Sequence, residues 1–344
     1  MPEGRSEEAL RLCREALRGL EQAQGPESPS LAAALNELAE LEQGCQSPRA
    51  ALETAERARA IEDAHGARFR GAEGARTRIR TLAIAGSVRR ALGDYPGAES
   101  DLLAAAALAL GEFGGASVEV ARARNDLGVL YKYWGLFDEG LSLYALALDT
   151  LTAIHGAESL ECATIHHNIG GILHARGDFA AAEEPARKAW EIARRLLGED
   201  DVRTHAEAAA YAAVLDGLGR YAESEALYRR ALAVFERVYS PGHEEIAVIL
   251  HNLGSVLAAR GMDGEAERHY RRALALKESL FGPDSPDAAM TRNNLGKLLF
   301  RTARPQEAAA LLRRAVTILE ARLPESHPHV ITSRKNLEMA QGRI

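Results

Sequence analysis

Apolar residues in this chain follow the spacing of an amphipathic helix. In residues 247–288, Leu250, Leu253, Gly254 and Leu257 stand at the i, i+3, i+4 and i+7 positions. At about 100° per residue, these positions fall on one face of a helix. A glycine inside that face costs about 1 kcal/mol against alanine, so we expect it to admit a second helix that packs closely.

The second half of the same segment predicts that second helix, from about residue 265 to residue 280. Gly261 predicts the end of the first helix, because glycine readily adopts the left-handed conformation of a helix C-cap. Ser285 followed by Pro286 predicts the start of the next pair, with serine as the N-cap and proline at the first helical position. Small and apolar residues mark the buried face of the second helix: Ala266, Tyr270, Ala273 and Leu276.

The two-helix segment recurs every 42 residues. The glycine inside the first helix returns at five steps, and Ala212 stands at the one step that lacks it: Gly86, Gly128, Gly170, Gly254 and Gly296. The glycine that ends the first helix also returns at five steps and lapses only at Ala303: Gly93, Gly135, Gly177, Gly219 and Gly261. A period between 20 and 50 residues indicates a solenoid or an array.

We therefore predict an all-α fold, a right-handed α-solenoid of about seven antiparallel helix pairs with one flanking helix at each end. In this interpretation residues 1–344 form a single solenoid with no strand. Its parts are an N-terminal helix within 1–27, an irregular first repeat at 28–78, six 42-residue repeats at 79–330 and a capping helix at 331–344. A long loop around residues 69–78 is expected to connect the irregular repeat to the next repeat.

Composition and charge narrow the class of partner. The net charge is −7; acidic residues exceed basic ones by nine in 79–246, and basic residues exceed acidic ones by five in 247–344. An acidic middle argues against nucleic acid as the partner, because binding to nucleic acid requires a basic stripe.

Three cysteines do not make a disulfide framework, and there is neither a signal-peptide pattern nor an apolar run long enough to span a membrane. We expect a cytoplasmic protein, and the scarcity of lysine, five of 42 basic residues, favours a bacterial source.

Five positions of the repeat together resemble the tetratricopeptide repeat. The 42-residue length, with the phrase Asn-Leu-Gly before the turn and Tyr-Arg-Arg-Ala-Leu after it, is similar to the kinesin light chain subtype. The resemblance covers about residues 28–341 and implies an adaptor that holds a peptide or a helix of a partner protein in a concave groove. In the unit described above, the five residues are Gly254, Gly261, Ala266, Tyr270 and Ala273.

The residues two places before the repeating glycine are expected to line this groove, because they lie on the opposite face of the first helix. Four of them are asparagine and one is aspartate: Asp126, Asn168, Asn252, Asn294 and Asn336. Asparagine offers both donors and an acceptor, so a row of them can pair with an extended peptide backbone. The resemblance supports the same use. The alternative is that these side chains bond within or between repeats and orient the helices.

Basic and aromatic residues give the groove its expected character. Arg122 and Lys132 fall on or beside this face in an early repeat, and Lys297 and Arg301 do so near the end. Such cations suit carboxylates and acidic side chains on a partner. Two further residues are expected to point into the groove, Tyr133 and Ser255.

Catalytic and metal-binding patterns are missing from the sequence. It contains no nucleophile elbow, no phosphate loop and no metal-ligand spacing. His167 and His174 lie two helical turns apart, roughly 10 Å, which is too far for one metal ion without a third ligand. We therefore expect no enzymatic activity, no metal and no cofactor.

The leading hypothesis is a non-enzymatic scaffold or adaptor that binds a peptide or helical segment of a partner protein in its groove. Two alternatives stay open. One is a regulatory sensor in which a bound peptide or small ligand controls a partner. The other is a structural assembler on a filament or larger complex, with possible self-association.

Overall fold

The computed structural model describes residues 3–45, 47–323, 325 and 327–342, with side chains from residue 8 onward. Within this part of the chain the regular structure is helical, and no strand occurs. Sixteen helices follow one another: α1 Glu3–Gln24, α2 Leu31–Gly44, α3 Pro48–Ala64, α4 Gly71–Leu92, α5 Tyr95–Phe113, α6 Val118–Trp134, α7 Phe137–His155, α8 Leu160–Arg176, α9 Phe179–Leu197, α10 Val202–Gly217, α11 Tyr221–Val238, α12 Glu244–Ala259, α13 Asp263–Phe281, α14 Pro286–Arg301, α15 Pro305–Arg322 and α16 Pro328–Gln341.

These helices form seven pairs, from α2 with α3 to α14 with α15, between the flanking helices α1 and α16. The prediction of an all-α solenoid with about seven pairs is confirmed. The chain divides into two compact units, residues 1–192 and residues 193–344, and the boundary falls within α9. The outermost residues of the two predicted end helices (1, 2, 343 and 344) lie outside the described part of the chain.

Within each unit, the first helix of one repeat contacts the first helix of the next. In the unit 1–192 these contacts join α2 to α4, α4 to α6 and α6 to α8. In the unit 193–344 they join α10 to α12, α12 to α14 and α14 to α16. The exposed sides of these first helices make one surface in each unit, which we call the first-helix face. All the predicted partner-binding residues belong to first helices except Asn336, which belongs to the flanking helix α16.

The glycines inside the first helices permit close contact with the second helix of the same pair, as the sequence predicts. A Cβ atom on Gly254 would lie 2.9 Å from Cδ1 of Tyr270. A Cβ atom on Gly128 would lie 2.6 Å from Cε1 of Tyr144. Real Cβ atoms do not approach other carbon atoms so closely, so any larger residue here would displace the tyrosine ring.

The glycines that end the first helices adopt the predicted left-handed conformation. Gly261, for example, has a φ of +76°. At the one lapse in this series, Ala303 still adopts a φ of 60°, and it is the one non-glycine residue with positive φ in the described part of the chain. The strain of a left-handed alanine shows that the turn geometry is kept even without the residue that suits it.

The N-cap at Ser285 is also confirmed, because its Oγ accepts a hydrogen bond from the backbone N–H of Ala288 at 3.3 Å. Side chains at the same step cap the other first helices from α6 onward, which shows a further 42-residue series that the sequence analysis did not use. Its members are Ser117, Ser159, Asp201, His243, Ser285 and His327.

The segment that follows the first repeat differs from its prediction. The expected loop around residues 69–78 is helical from Gly71, because α4 begins there and not near residue 79. Two contacts explain the early start. Ala75 is buried, and the amide of Asn36 in α2 donates to the backbone oxygen of Thr77 at 3.3 Å and to Oγ1 of Thr81 at 2.8 Å.

Candidate functional site

A cavity of about 510 Å³ opens on the first-helix face of the unit 193–344. Four of the residues predicted from sequence to bind a partner line it: Ser255 on α12, and Asn294, Lys297 and Arg301 on α14. The rest of its lining is mostly apolar: Ala258, Ala259, Tyr270, Leu298, Phe300 and Met339. Three first helices and α13 therefore build one site that combines cations, hydrogen-bonding groups and an apolar wall.

Hydrogen bonds connect the floor of this cavity to the interior. Burial raises the pKa of Tyr270 to about 12, and the polar side chains of Ser255 and Asn294 act in the opposite direction. The Asn294 amide lies 3.3 Å from Nε2 of His251, and Nδ1 of His251 lies 2.9 Å from Oγ1 of Thr291. The polar groups on the floor are thus held in place by their neighbours, so a ligand meets them already oriented.

His251 is neutral in this network. Burial lowers its pKa to about 3, and the nearby charge of Lys277 contributes in the same direction. Because an asparagine amide can only donate through its nitrogen, Nε2 of His251 acts as the acceptor toward Asn294. Nδ1 then carries the proton and donates to Thr291. This arrangement fixes which end of the Asn294 amide faces the histidine.

Two cations supply the charge at the cavity mouth, and they differ in whether they form an ion pair within the protein. Arg301 is paired with Asp263 on α13. Lys297 is exposed, and no ion pair within 4.0 Å joins it to any residue that the structure describes. Met339, 44% exposed, adds an apolar rim from α16. The unpaired ammonium group is therefore the charge most available to a ligand in this cavity.

The asparagines of the first helices are largely engaged between repeats. Asn168 donates to Oδ1 of Asn125 at 2.7 Å, and Asn336 donates to Oδ1 of Asn293 at 2.9 Å. Asn294 contacts His251 in the same way, 43 residues back along the chain. The structure thus shows the alternative that the sequence left open, in which these amides join neighbouring repeats.

Two of the predicted partner-binding asparagines lie close to side chains of the neighbouring repeat. Asn336 is only 7% exposed, so its side chain faces its neighbour Asn293 and not the surface. Burial raises the pKa of Tyr228, on the second helix of the preceding repeat, and the side chain of Asn252 acts against this rise. Asn294 alone both joins two repeats and lines the cavity. The residues one place before the predicted positions were the missed signal, since they accept the bonds: Asn125, His251 and Asn293.

Four of the predicted residues in the unit 1–192 lie on α6: Arg122, Asp126, Lys132 and Tyr133. The Arg90 guanidinium lies 4.5 Å from the centroid of the Tyr133 ring, and Nζ of Lys132 lies 5.0 Å from it. Tyr133 is 55% exposed, and Arg122 is exposed. Burial raises the pKa of Asp126 to about 6, against the opposing effect of Arg122 and Arg90. This face thus presents a stacked aromatic ring and a desolvated carboxylate.

No helix in the described residues is long and apolar enough to cross a membrane. The described residues also contain no group of three or more His, Cys, Asp or Glu side chains that could hold a metal ion.

The model of the tetratricopeptide repeat family matches residues 135–195, 204–279 and 247–321, which together make up more than half of the chain. The chain belongs to this family. Its fold is similar to that of kinesin light chain-like repeat proteins, as the sequence analysis expects. No curated protein sequence matches the chain at a significant level.

Three solved structures illustrate the likeness. BtubC (BKLC) from P. vanneervenii is 23% identical with a TM-score of 0.53, over 70% of this chain and 92% of that one. A putative kinesin light chain from Podosopora anserina with nearly identical TPR-like repeats is 18% identical with a TM-score of 0.50, over 58% and 94%. A Rap protein complexed with competence and sporulation factor is 16% identical with a TM-score of 0.55, over 99% of both chains.

Proposed function

We propose that this protein is a non-catalytic interaction scaffold that binds an extended or helical segment of a partner protein. The main contact is the cavity of about 510 Å³ on the first-helix face of the unit 193–344. The observation that carries the proposal is the combination found there, an unpaired ammonium group, a hydrogen-bonded polar floor and an apolar wall. Pockets of this size with a few oriented polar groups are typical ligand sites.

The lining favours a segment with an apolar side chain next to an acidic one. The apolar side chain would pack against Ala258, Ala259 and Leu298, and the carboxylate would pair with Lys297. An ion pair at such a mouth contributes mainly specificity and orientation, while the apolar contact supplies most of the affinity. The Rap protein, a structural neighbour, is seen complexed with competence and sporulation factor, and that complex supports protein or peptide partners for this fold.

The proposal is tested with peptides of defined sequence, selected by phage display against the full chain and measured by calorimetry. We expect Lys297→Ala to weaken binding of selected acidic peptides by about tenfold, the effect of losing roughly 1.4 kcal/mol. Lys335→Ala is the matched control, because Lys335 is an exposed lysine of α16 that does not line the cavity.

Filling the cavity gives a second and larger effect. Ala258→Phe should abolish binding while the thermal unfolding midpoint stays close to that of the unmodified chain. Equal affinities for the unmodified chain and both variants would show that the cavity is not the binding site. The sensor and assembler alternatives stay predictions.

A further inference from the structure

A second cavity, of about 150 Å³, lies among α3, α4 and α5 in the unit 1–192. A cavity of this volume can hold a molecule about the size of benzene. Its apolar lining comes from α4 and α5: Leu82, Ala104 and Leu108. Its charged lining comes from α3 and α4: Arg59, Glu62, Asp63 and Arg78. A small ligand in this cavity therefore meets an apolar wall and ionisable groups together.

Glu62 is the buried charge of this cavity. Its side chain lines the cavity, although the residue is only 2% exposed. Its Oε1 accepts a hydrogen bond from Oγ1 of Thr81 at 2.6 Å, and Oγ1 of Thr81 accepts one from the amide of Asn36 at 2.8 Å. No residue that the structure describes donates a hydrogen bond to Oε2 of Glu62. One oxygen of the carboxylate is thus held in place, and the other is left for a group within the cavity.

Glu62 differs from the other carboxylates that are at most 5% exposed in the described part of the chain. Each of the others has an arginine within 3.0 Å: Glu42 has Arg14, Asp101 has Arg59 and Glu225 has Arg229. No ion pair within 4.0 Å joins Glu62 to any described residue. A buried carboxylate costs much free energy unless a cation or several donors offset its charge. Its surroundings therefore favour a cation that is not part of the described chain.

The two arginines that line the cavity do not supply this cation, because each has another carboxylate. Arg59 pairs with Asp101 at 3.0 Å, and Arg78 lies 3.8 Å from Asp63. Burial raises the pKa of the Glu62 carboxyl, and this effect outweighs the charges of both arginines. A further cation at Oε2 would stabilise the charged form that burial disfavours. An anion in the same place would be repelled by the carboxylate.

We propose that this cavity binds a primary alkylammonium group, donating to Oε2 of Glu62 and packing its alkyl chain against Leu82 and Leu108. An ammonium group is a compact charge, and its donors rotate freely about a single bond. It therefore suits a narrow cavity in which one carboxylate oxygen is available. The four-carbon chain that ends in ammonium in a lysine side chain also fits a volume that can hold benzene.

The ammonium comes either from a free amine or from a lysine of a partner protein, and two probes separate these sources. Butylammonium chloride stands for the free amine, and the peptide acetyl-Gly-Lys-Gly-amide stands for a lysine within a chain. Sodium butyrate is the control of similar size and opposite charge. The full chain carries isotope-labelled leucine methyl groups, and nuclear magnetic resonance follows two of them. Their signals are assigned by their loss in Leu82→Ile and in Leu108→Ile.

We expect at least one ammonium probe to shift both methyl signals in a saturable way and butyrate to leave them unmoved. Glu62→Gln keeps the shape and the acceptor for Thr81 but removes the charge, so it should weaken binding at least tenfold. Glu53→Gln is the matched control, because it makes the same change at an exposed residue of α3 that does not line the cavity. It should bind as the unmodified chain does.

The proposal is overturned if neither ammonium probe shifts the signals, if butyrate shifts them equally, or if Glu62→Gln binds as well as Glu53→Gln. Ala104→Leu fills the cavity from α5 without a change of charge, and it decides the question if Glu62→Gln does not fold. Unchanged binding in Ala104→Leu would place the amine elsewhere and overturn the proposal. Lys297→Ala, in the other unit, should leave amine binding unchanged, so this proposal and the proposed function fail in separate experiments.

Discussion

Tyr144 and Tyr270 stand at the same step of the repeat, one in each unit, and their hydroxyl groups have opposite surroundings. Tyr270 lines the cavity with Ser255 and Asn294, and the Asn294 amide lies 3.3 Å from Nε2 of neutral His251. The Tyr144 hydroxyl is buried and has no hydrogen-bond partner among the described residues. The apolar contacts of the two rings are alike, because each ring packs against the glycine inside the first helix of its own repeat. The fold thus fixes the ring, and the residues at the groove decide what the hydroxyl can do.

The largest expected difference between the two units is the stability that the unit 193–344 loses in acid. The pKa of His251 falls from an ordinary 6.5 to about 3 in the folded protein, so the unfolded chain binds more protons between these values. The stability that His251 contributes is complete above pH 6.5 and is lost as the pH falls toward 3. The fall from 6.5 to about 3 corresponds to a loss on the order of 5 kcal/mol in the unit 193–344, which hydrogen exchange should detect. His251→Gln should flatten this dependence; an equally steep loss in that variant would contradict the assignment.

In the unit 1–192, Asp126 should lower the stability as the pH rises, which is opposite to the effect of His251. The pKa of Asp126 rises from an ordinary 3.8 to about 6 in the folded protein, so the folded chain binds more protons between these values. Its contribution to stability is complete below pH 3.8 and is lost as the pH rises through 6. Both tryptophans, Trp134 and Trp190, lie in the unit 1–192 and report on it by fluorescence. Asp126→Asn should gain stability at pH 7 and little at pH 4.

The tyrosine hydroxyls themselves offer a direct test of the comparison. Tyr270→Phe should destabilise the protein by about 1–2 kcal/mol, because it leaves polar partners unpaired in the floor of the cavity. Tyr144→Phe should be neutral or stabilising by up to about 1 kcal/mol, because it removes a group that had no partner. Urea unfolding of the two variants measures both changes. Equal losses would mean that the hydroxyls have equivalent surroundings after all.

The smallest expected effect concerns Ala303, where the unit 193–344 departs from a series that the unit 1–192 keeps at Gly93, Gly135 and Gly177. Because Ala303 has a φ of 60°, Ala303→Gly should stabilise the protein by about 1 kcal/mol. Gly177→Ala, the matched change at a φ of +83°, should cost a similar amount. Thermal unfolding checks both. A loss of stability in Ala303→Gly would show that alanine makes a contact that outweighs its strain.

The fold could be predicted because its constraints act on single residues at a fixed spacing. Gly254 must lack a Cβ to admit the Tyr270 ring, and Gly261 must adopt positive φ, so each leaves a mark in the sequence. The start of α4 at Gly71 could not be predicted, since it depends on contacts of Thr77 and Thr81 with Asn36, about 40 residues earlier.

The site could be predicted only in part. Ser255, Asn294, Lys297 and Arg301 do lie together, because the helical period places the last three on one face of α14 and the 42-residue repeat stacks α12 against α14. The direction of each asparagine amide depends on the residue that accepts its hydrogen bond in the neighbouring repeat. The sequence shows the amide but not its partner, so the engagement of Asn336 with Asn293 appears only in the structure.

The bonds between repeats have a consequence for how such a chain lengthens. Each of them joins a residue to one 43 places earlier, in a chain whose period is 42. Where two such bonds meet in one repeat, acceptor and donor are adjacent residues, as in Asn293 and Asn294. A gene duplication that inserts one repeat in register supplies a donor for the repeat before it and an acceptor for the repeat after it. The inserted repeat therefore forms these hydrogen bonds with both neighbouring repeats without any further mutation.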